Sequence, residues 1–425
     1  MTTRRTVLRL AGAAPAMALL GACQPDAVAP TATSPPDLLL VETSTGLALV
    51  DARDATVVTG PRLAITAWDG SSIVSAATTA AADAGVTRVE VRNGAGALTY
   101  HVEVPGALLA RVVAPGGGHV ALASGSSAGT TPYRPAGRAE TTVVVAGPGG
   151  ERTRLTLPGC VEPEAFTPQG DALYVLDYLP PLRPDRYRVR VVDLTTRGMR
   201  PLLTRDKQLI PAGAEEEVRG EGRQAVYATG RTTLFTLYTH QPDHEHTRDL
   251  IGGGARDGEP QVHAFVHSLN LNQGFAYCID LPAPFGEGAA AGHAIALSSV
   301  EHPFVVDATS GTIARLDGES LTVAKTAKSL PGGADRASAV VSADGARLFV
   351  GTGNTVSIVD TTTLSTQAQW TVAAPVRGLA VSRDGARLWV GQPNAAQALD
   401  TSSGRELTTL PIPTLTALAH TNPAP

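Results

Sequence analysis

The sequence predicts an all-β chain built as a ring of four-stranded sheets, and three observations carry that reading. The 425 residues include 44 Gly and 31 Pro, a density of turn-formers that excludes a helical bundle. The segment VSADGARLFVG at 341–351 returns forty residues later as VSRDGARLWVG at 381–391. No stretch holds a 3.6-residue apolar period long enough for a substantial helix. A repeat near forty residues with strand–turn–strand texture is one blade of a β-propeller. Hydrophobic residues at 43% and charged residues at 17% suffice for a packed core and exclude a disordered polymer.

The elements follow in chain order. Residues 1–22 place Arg4 and Arg5 ahead of a weakly apolar run from Leu10 to Leu20, interrupted by Gly12 and Pro15. A membrane-spanning helix needs about 20 apolar residues, so this run is an export signal and not a permanent span. It ends in Leu20-Gly21-Ala22-Cys23, small residues ahead of a cysteine. That order resembles a bacterial lipoprotein signal, and the arginine pair resembles the twin-arginine export signal. The resemblance implies lipidation of Cys23 and anchoring at the outer face of the cytoplasmic membrane; more than one acyl chain makes such anchoring stable. Residues 23–36, rich in Pro, Ala and Thr, read as an extended tether of at most about 45 Å.

Residues 37–421 form the propeller domain. The stretch 37–60 offers three strand candidates, Leu38–Val41, Leu47–Asp51 and Thr56–Thr59. The missing inner strand is expected from Leu415–His420, which closes the ring and leaves no free sheet edge. Further units begin near Leu63, with a turn at Asp69-Gly70, and near Leu108, with a turn at Gly116–Gly118. The next has its turn at Gln169-Gly170, and others start near Gln224 and Ala294. The two strong copies complete a count of eight blades, seven being the alternative. In the strong copies Asp-Gly makes the tight turn, Leu-aromatic-Val forms the second strand, and Asp360 and Asp400 end the third by bonding backbone N–H groups of the next turn. Residues 337–413 resemble the YVTN family of bacterial β-propellers. That resemblance implies fold more than function, because such propellers share no catalytic constellation.

Long insertions at 76–85, 125–140, 177–187, 205–223 and 240–261 all belong to second-to-third-strand loops or interblade connections, which share one face. Loops on a rigid scaffold carry function, so this is the expected binding face. Residues expected to open the inner strands there are Arg62, Glu162, Glu164, Arg223, His293, Arg336 and Arg377. Their arginines would suit a small anionic ligand, unless Glu162 and Glu164 neutralise them as ion pairs. A second candidate is metal binding by His240, His244, His246, His263 and His267, five of the ten histidines within twenty-eight residues. His263 and His267 are expected on one strand, facing one side. Glu215-Glu216-Glu217 reads as a solvated acidic loop. Cys160 and Cys278 lie too far apart in the repeat for a disulfide and read as buried thiols.

The formal charge is −5, and the signal removes three more arginines, so nucleic acid is not an expected partner. The reading favoured is a non-enzymatic scaffold that binds a protein or small ligand; no cofactor is required, and a metal is possible. A lactonase-like or quinoprotein-like enzyme using the channel mouth, or an extracytoplasmic metal-handling protein, are the alternatives. Cys23→Ala is expected to move the protein from the membrane to the soluble fraction; unchanged fractionation would reject the lipid anchor.

Overall fold

Each strong repeat copy makes the same local bonds. The Ser342 hydroxyl accepts the Arg347 N–H at 2.9 Å, and Asp344 accepts the Ala346 N–H at 3.0 Å. Ser382 and Asp384 repeat this with Arg387 and Ala386 at 2.9 and 3.1 Å. Gly345 and Gly385 stand at φ 74° and 71°, a conformation that costs glycine nothing. At the ends of third strands, Asp193, Asp317, Asp360 and Asp400 each accept two backbone N–H groups from the following turn. These side chains satisfy turn amides that no ladder reaches.

The computed structural model describes residues 37–62, 64–79, 85–125, 134–242, 244–253 and 262–423. The signal, the tether and Cys23 lie outside the described residues. The domain consists of eight four-stranded antiparallel sheets. Blade 1 takes three strands from the N-terminal side, Asp37–Thr43, Gly46–Asp51 and Val57–Arg62, and its inner strand from Leu415–Pro423. Leu40 faces His420 and Thr43 faces Leu415 across that joint, as expected from the sequence. Blades 2 to 8 follow in order, each running from inner to outer strand, with inner strands Ala64–Thr66, Leu108–Val113, Cys160–Phe166, Gln224–Ala228, His293–Leu297, Ser338–Val341 and Leu379–Val381. Among the described residues the one α-helix is Thr247–Gly252.

The hydrophobic core lies between blades. Leu39, Val50, Trp389 and Leu410 join blades 1 and 8; Val74, Val104, Val120 and Val144 join blades 2 and 3; Phe235, Val266, Val305 and Ala314 join blades 5 and 6. Alternation along each strand presents one apolar face to each neighbour, so every blade is buried on both sides. The closing joint also carries a polar lock. Asp37, 5% exposed, accepts the Trp389 indole N–H at 2.7 Å and pairs with Arg387 at 2.8 Å. Asp37→Ala would leave a buried indole N–H without its partner. It is expected to lower unfolding stability by about 2–3 kcal/mol in denaturant melts, and an unchanged midpoint would remove this lock from the account of closure.

Candidate functional site

The residues expected at the channel mouth divide. Glu162 and Glu164 lie on the inner strand of blade 4, Arg223 immediately precedes that of blade 5, and His293 opens that of blade 6. Arg336 and Arg377 each stand two residues ahead of the inner strands of blades 7 and 8. Arg62 corrects the expectation: it ends the outermost strand of blade 1, opposite Leu47. Its blade borrows the inner strand from the C-terminus, which moves every N-terminal strand one place outward. Glu162 is fully buried between Arg111, at 2.8 Å, and Arg138, at 2.7 Å. Burial pushes its carboxyl up against the pull of both guanidinium groups. Glu164 is ion-paired with the buried Arg223. His293 is satisfied as well, accepting the Gly286 N–H at 3.0 Å and lying 3.0 Å from the Ala289 carbonyl. The mouth carboxylates therefore neutralise arginines, and the exposed Arg336 and half-buried Arg377 remain as its uncommitted cations among the described residues.

Chemistry gathers elsewhere, between blades 4 and 5. The third strand of blade 4, Arg186–Asp193, presents Arg186, Arg188 and Arg190 on one side by its period of two. The interblade segment beside it forms an antiparallel bridge between Val218 and Tyr187. Glu217 pairs with Arg186 at 2.5 Å and Glu215 with Arg190 at 2.8 Å. Alternation then turns Glu216 the other way, toward blade 5. The acidic triplet is thus not a solvated loop: its outer members zip the segment to blade 4 and its middle member is delivered inward.

Three imidazoles wait on the blade 5 side. The loop after Thr233–Tyr238 is tied to the interblade segment by Gln241, which donates to the Arg219 carbonyl at 2.7 Å and accepts the Arg219 N–H at 3.1 Å. His244 stacks on Phe265, centroids 4.4 Å apart, and His246 meets the same ring edge-on at 5.0 Å. The His246 N–H donates to the Asp249 carboxylate at 3.0 Å where the helix Thr247–Gly252 begins. His267 lies on Phe265–Asn270, buried, with Cys278 as its cross-strand partner. His263 does not share that strand: it lies in a bend before the strand begins, where its carbonyl accepts the Gln241 N–H. His240 stands apart at φ 57°, its Nδ1 2.8 Å from the Thr239 hydroxyl. Of the five candidate histidines the structure joins His244 and His246, places His267 behind them and excludes His240 and His263.

The Glu216, His244 and His246 donor atoms lie within 4.8 Å of one another. His244 Nε2 is 3.0 Å and His246 Nδ1 3.6 Å from Glu216 Oε1. His246 Nε2 lies 2.6 Å from Asp280, whereas its buried Nδ1 has no hydrogen-bond partner. A carboxylate behind one imidazole nitrogen, leaving the other aimed at a shared point, is how metal-bound histidines are oriented. Burial alone would lift the Glu216 carboxyl, yet the hydrogen-bonded His244 and the facing His246 hold it well below its ordinary range. Burial would likewise depress His246, but Asp280 and Glu216 raise it to about 9. His267, with burial dominant, falls to about 4 and stays neutral. Cys278 is a free buried thiol whose sulfur donates to Glu216 at 2.9 Å; burial, then Glu216, keeps it protonated. A cavity of about 480 Å³ touches Glu216, His246 and Cys278, and a second of about 280 Å³ touches His244.

No protein-family model matches the chain, and no curated protein sequence matches it. Among solved structures, a crystal structure of AztD from Citrobacter koseri is similar at 13% identity, covering 92% of this chain and 98% of that one with a TM-score of 0.51. Dihydro-heme d1 dehydrogenase NirN in complex with DHE matches 95% of this chain and 79% of its own at 13% identity and a TM-score of 0.46. At 13% identity the likeness to AztD shows the propeller fold alone and nothing of the chemistry.

The buried mouth pair has a structural role that separates it from a ligand site. Glu164→Gln strips the buried Arg223 of its carboxylate and is expected to cost about 3 kcal/mol of stability. Arg336→Ala, on the surface, is expected to stay within about 0.5 kcal/mol. Equal melts for the two variants would return Arg223 to the list of ligand-facing cations.

Proposed function

We propose that this chain is a lipid-anchored, extracytoplasmic propeller of YVTN-type repeats that binds a divalent transition-metal ion, zinc by donor class, at Glu216, His244 and His246. The observation that carries the reading is the buried Nδ1 of His246, without a hydrogen-bond partner and facing Glu216, while Asp280 holds the opposite nitrogen. Two imidazoles and one carboxylate are a borderline donor set that suits zinc or copper and ill suits magnesium or calcium. Three protein donors leave a fourth position open toward the adjoining cavity, which favours reversible binding over a closed structural centre. Support for binding over catalysis comes from the mouth, where Glu162 and Glu164 are engaged by arginines instead of being free for acid–base work.

Untagged full-length protein, loaded with Zn²⁺ and desalted, is expected to retain stoichiometric metal by elemental analysis. In calorimetry, Asp280→Asn is expected to weaken binding by about 10–100-fold. Glu216→Gln, His244→Ala and His246→Ala should each weaken it further, and His240→Ala and His263→Ala should leave it unchanged. Wild-type protein that emerges from loading without metal refutes the proposal.

A further inference from the structure

The larger cavity beside the metal cluster has a chemistry of its own. Its floor holds Glu216 and His246, and its wall is the half-buried ring of Tyr277. Two guanidinium groups lie over that ring, Arg205 at 4.8 Å and Arg248 at 5.4 Å. They differ in commitment. Arg248 is ion-paired with Asp280 and donates to the Cys278 carbonyl at 2.8 Å, so it braces the carboxylate behind His246. Arg205 donates to the Ser320 carbonyl at 3.0 Å, and among the described residues no carboxylate is ion-paired with it, Asp206 at the same cavity included. The rim carries Leu209 and Ile251, 71% and 48% exposed, apolar side chains with nothing folded over them among the described residues.

A cavity of this size, apolar at the rim and walled by an aromatic ring, with one uncommitted guanidinium and a metal position at its floor, is built for a small organic molecule. A bare hydrated ion would use neither the ring nor Arg205. Resting on the metal reading above, we infer that the ion is bound together with a small chelator. The chelator takes the open side of the ion with two donors, making five with the three from the protein, rests its apolar body against Leu209 and Ile251 at the rim, and directs a second carboxylate to Arg205. Arg is suited to that last contact because its planar fork matches a carboxylate and its guanidinium already lies over the ring. The order of binding follows: the chelator engages the metal-loaded protein and ignores the metal-free one, since its strongest bond is to the ion.

Two probes separate the contacts. Pyridine-2,4-dicarboxylate carries a chelating nitrogen–carboxylate edge and a distal carboxylate, and picolinate carries the same edge without the distal group. Titrated calorimetrically into zinc-loaded full-length protein, the dicarboxylate is expected to bind about tenfold tighter than picolinate. Neither should give heat with metal-free protein, and zinc should remain bound by elemental analysis after the titration. In the exposed variant Arg205→Ala the tenfold difference should vanish, with zinc affinity itself unchanged. Equal affinities in the wild type, or removal of zinc by either probe, overturn the chelator inference and leave the metal site standing. Failure of the protein to hold zinc at all overturns both, and the zinc titration made beforehand distinguishes the two failures.

Discussion

The pairing of Leu415–Pro423 with Asp37–Thr43 is the constraint on which the rest of the molecule depends. A row of small twisted sheets packed face to face has two exposed ends, and each end is both an apolar face and a strand edge open to other chains. Joining the chain's last strand to its first sheet removes the row's ends in one step. The Asp37 carboxylate, held by Trp389 and Arg387 of the neighbouring blade, fixes the angle at which the joint closes. Once the ring is shut, neither neighbour of any blade can move away without breaking the joint. The interface between blades 4 and 5 is therefore held by its surroundings as well as by its own contacts.

That outside support explains how one interface tolerates unusual contents. Other seams mix aliphatic residues with aromatic ones such as Trp389, Phe304 and Phe349; between blades 4 and 5 three tyrosines, Tyr178, Tyr187 and Tyr238, gather with Phe265, and Val218 of the interblade segment lies among them. The arginine–glutamate ladder sets that segment's register, and alternation decides which carboxylate turns inward. A shift by one residue would present Glu215 or Glu217 to the histidines and Glu216 to the arginines.

How far the sequence revealed this differed by feature. Blade number and ring closure were legible because both rest on local repetition: Asp-Gly turns, strand-ending aspartates and a forty-residue spacing. His244 and His246 stood out only as two of five histidines crowded into twenty-eight residues, and nothing in that density separated them from His240, His263 and His267. Glu216 was not legible. An acidic triplet in a loop reads as solvated, and its inward turn depends on Val218 bridging to Tyr187, a contact across thirty-one residues. A signal was nonetheless present, since Arg186-Tyr187-Arg188-Val189-Arg190 and Glu215-Glu216-Glu217 have matching periods and opposite charge. Arg62 failed for a different reason. Counting strands from the N-terminus assigns it to an inner strand, and the borrowed C-terminal strand displaces that count by one.

The cluster's cost to the fold argues for its use. An interface that closes a ring needs only apolar area, and a buried carboxylate with its imidazoles is no more stabilising than well-packed aliphatic groups of the same volume. Aromatic side chains at this seam already supply the burial. Glu216 adds desolvation that its neighbours must offset: two histidines, a thiol and, one layer out, Asp280 and Arg248. His246 shows the consequence most clearly, drawn upward by two carboxylates while its Nδ1 stands without a hydrogen-bond acceptor. Aimed at Glu216 and bordering a cavity, it is the nitrogen on which the proposed metal site turns.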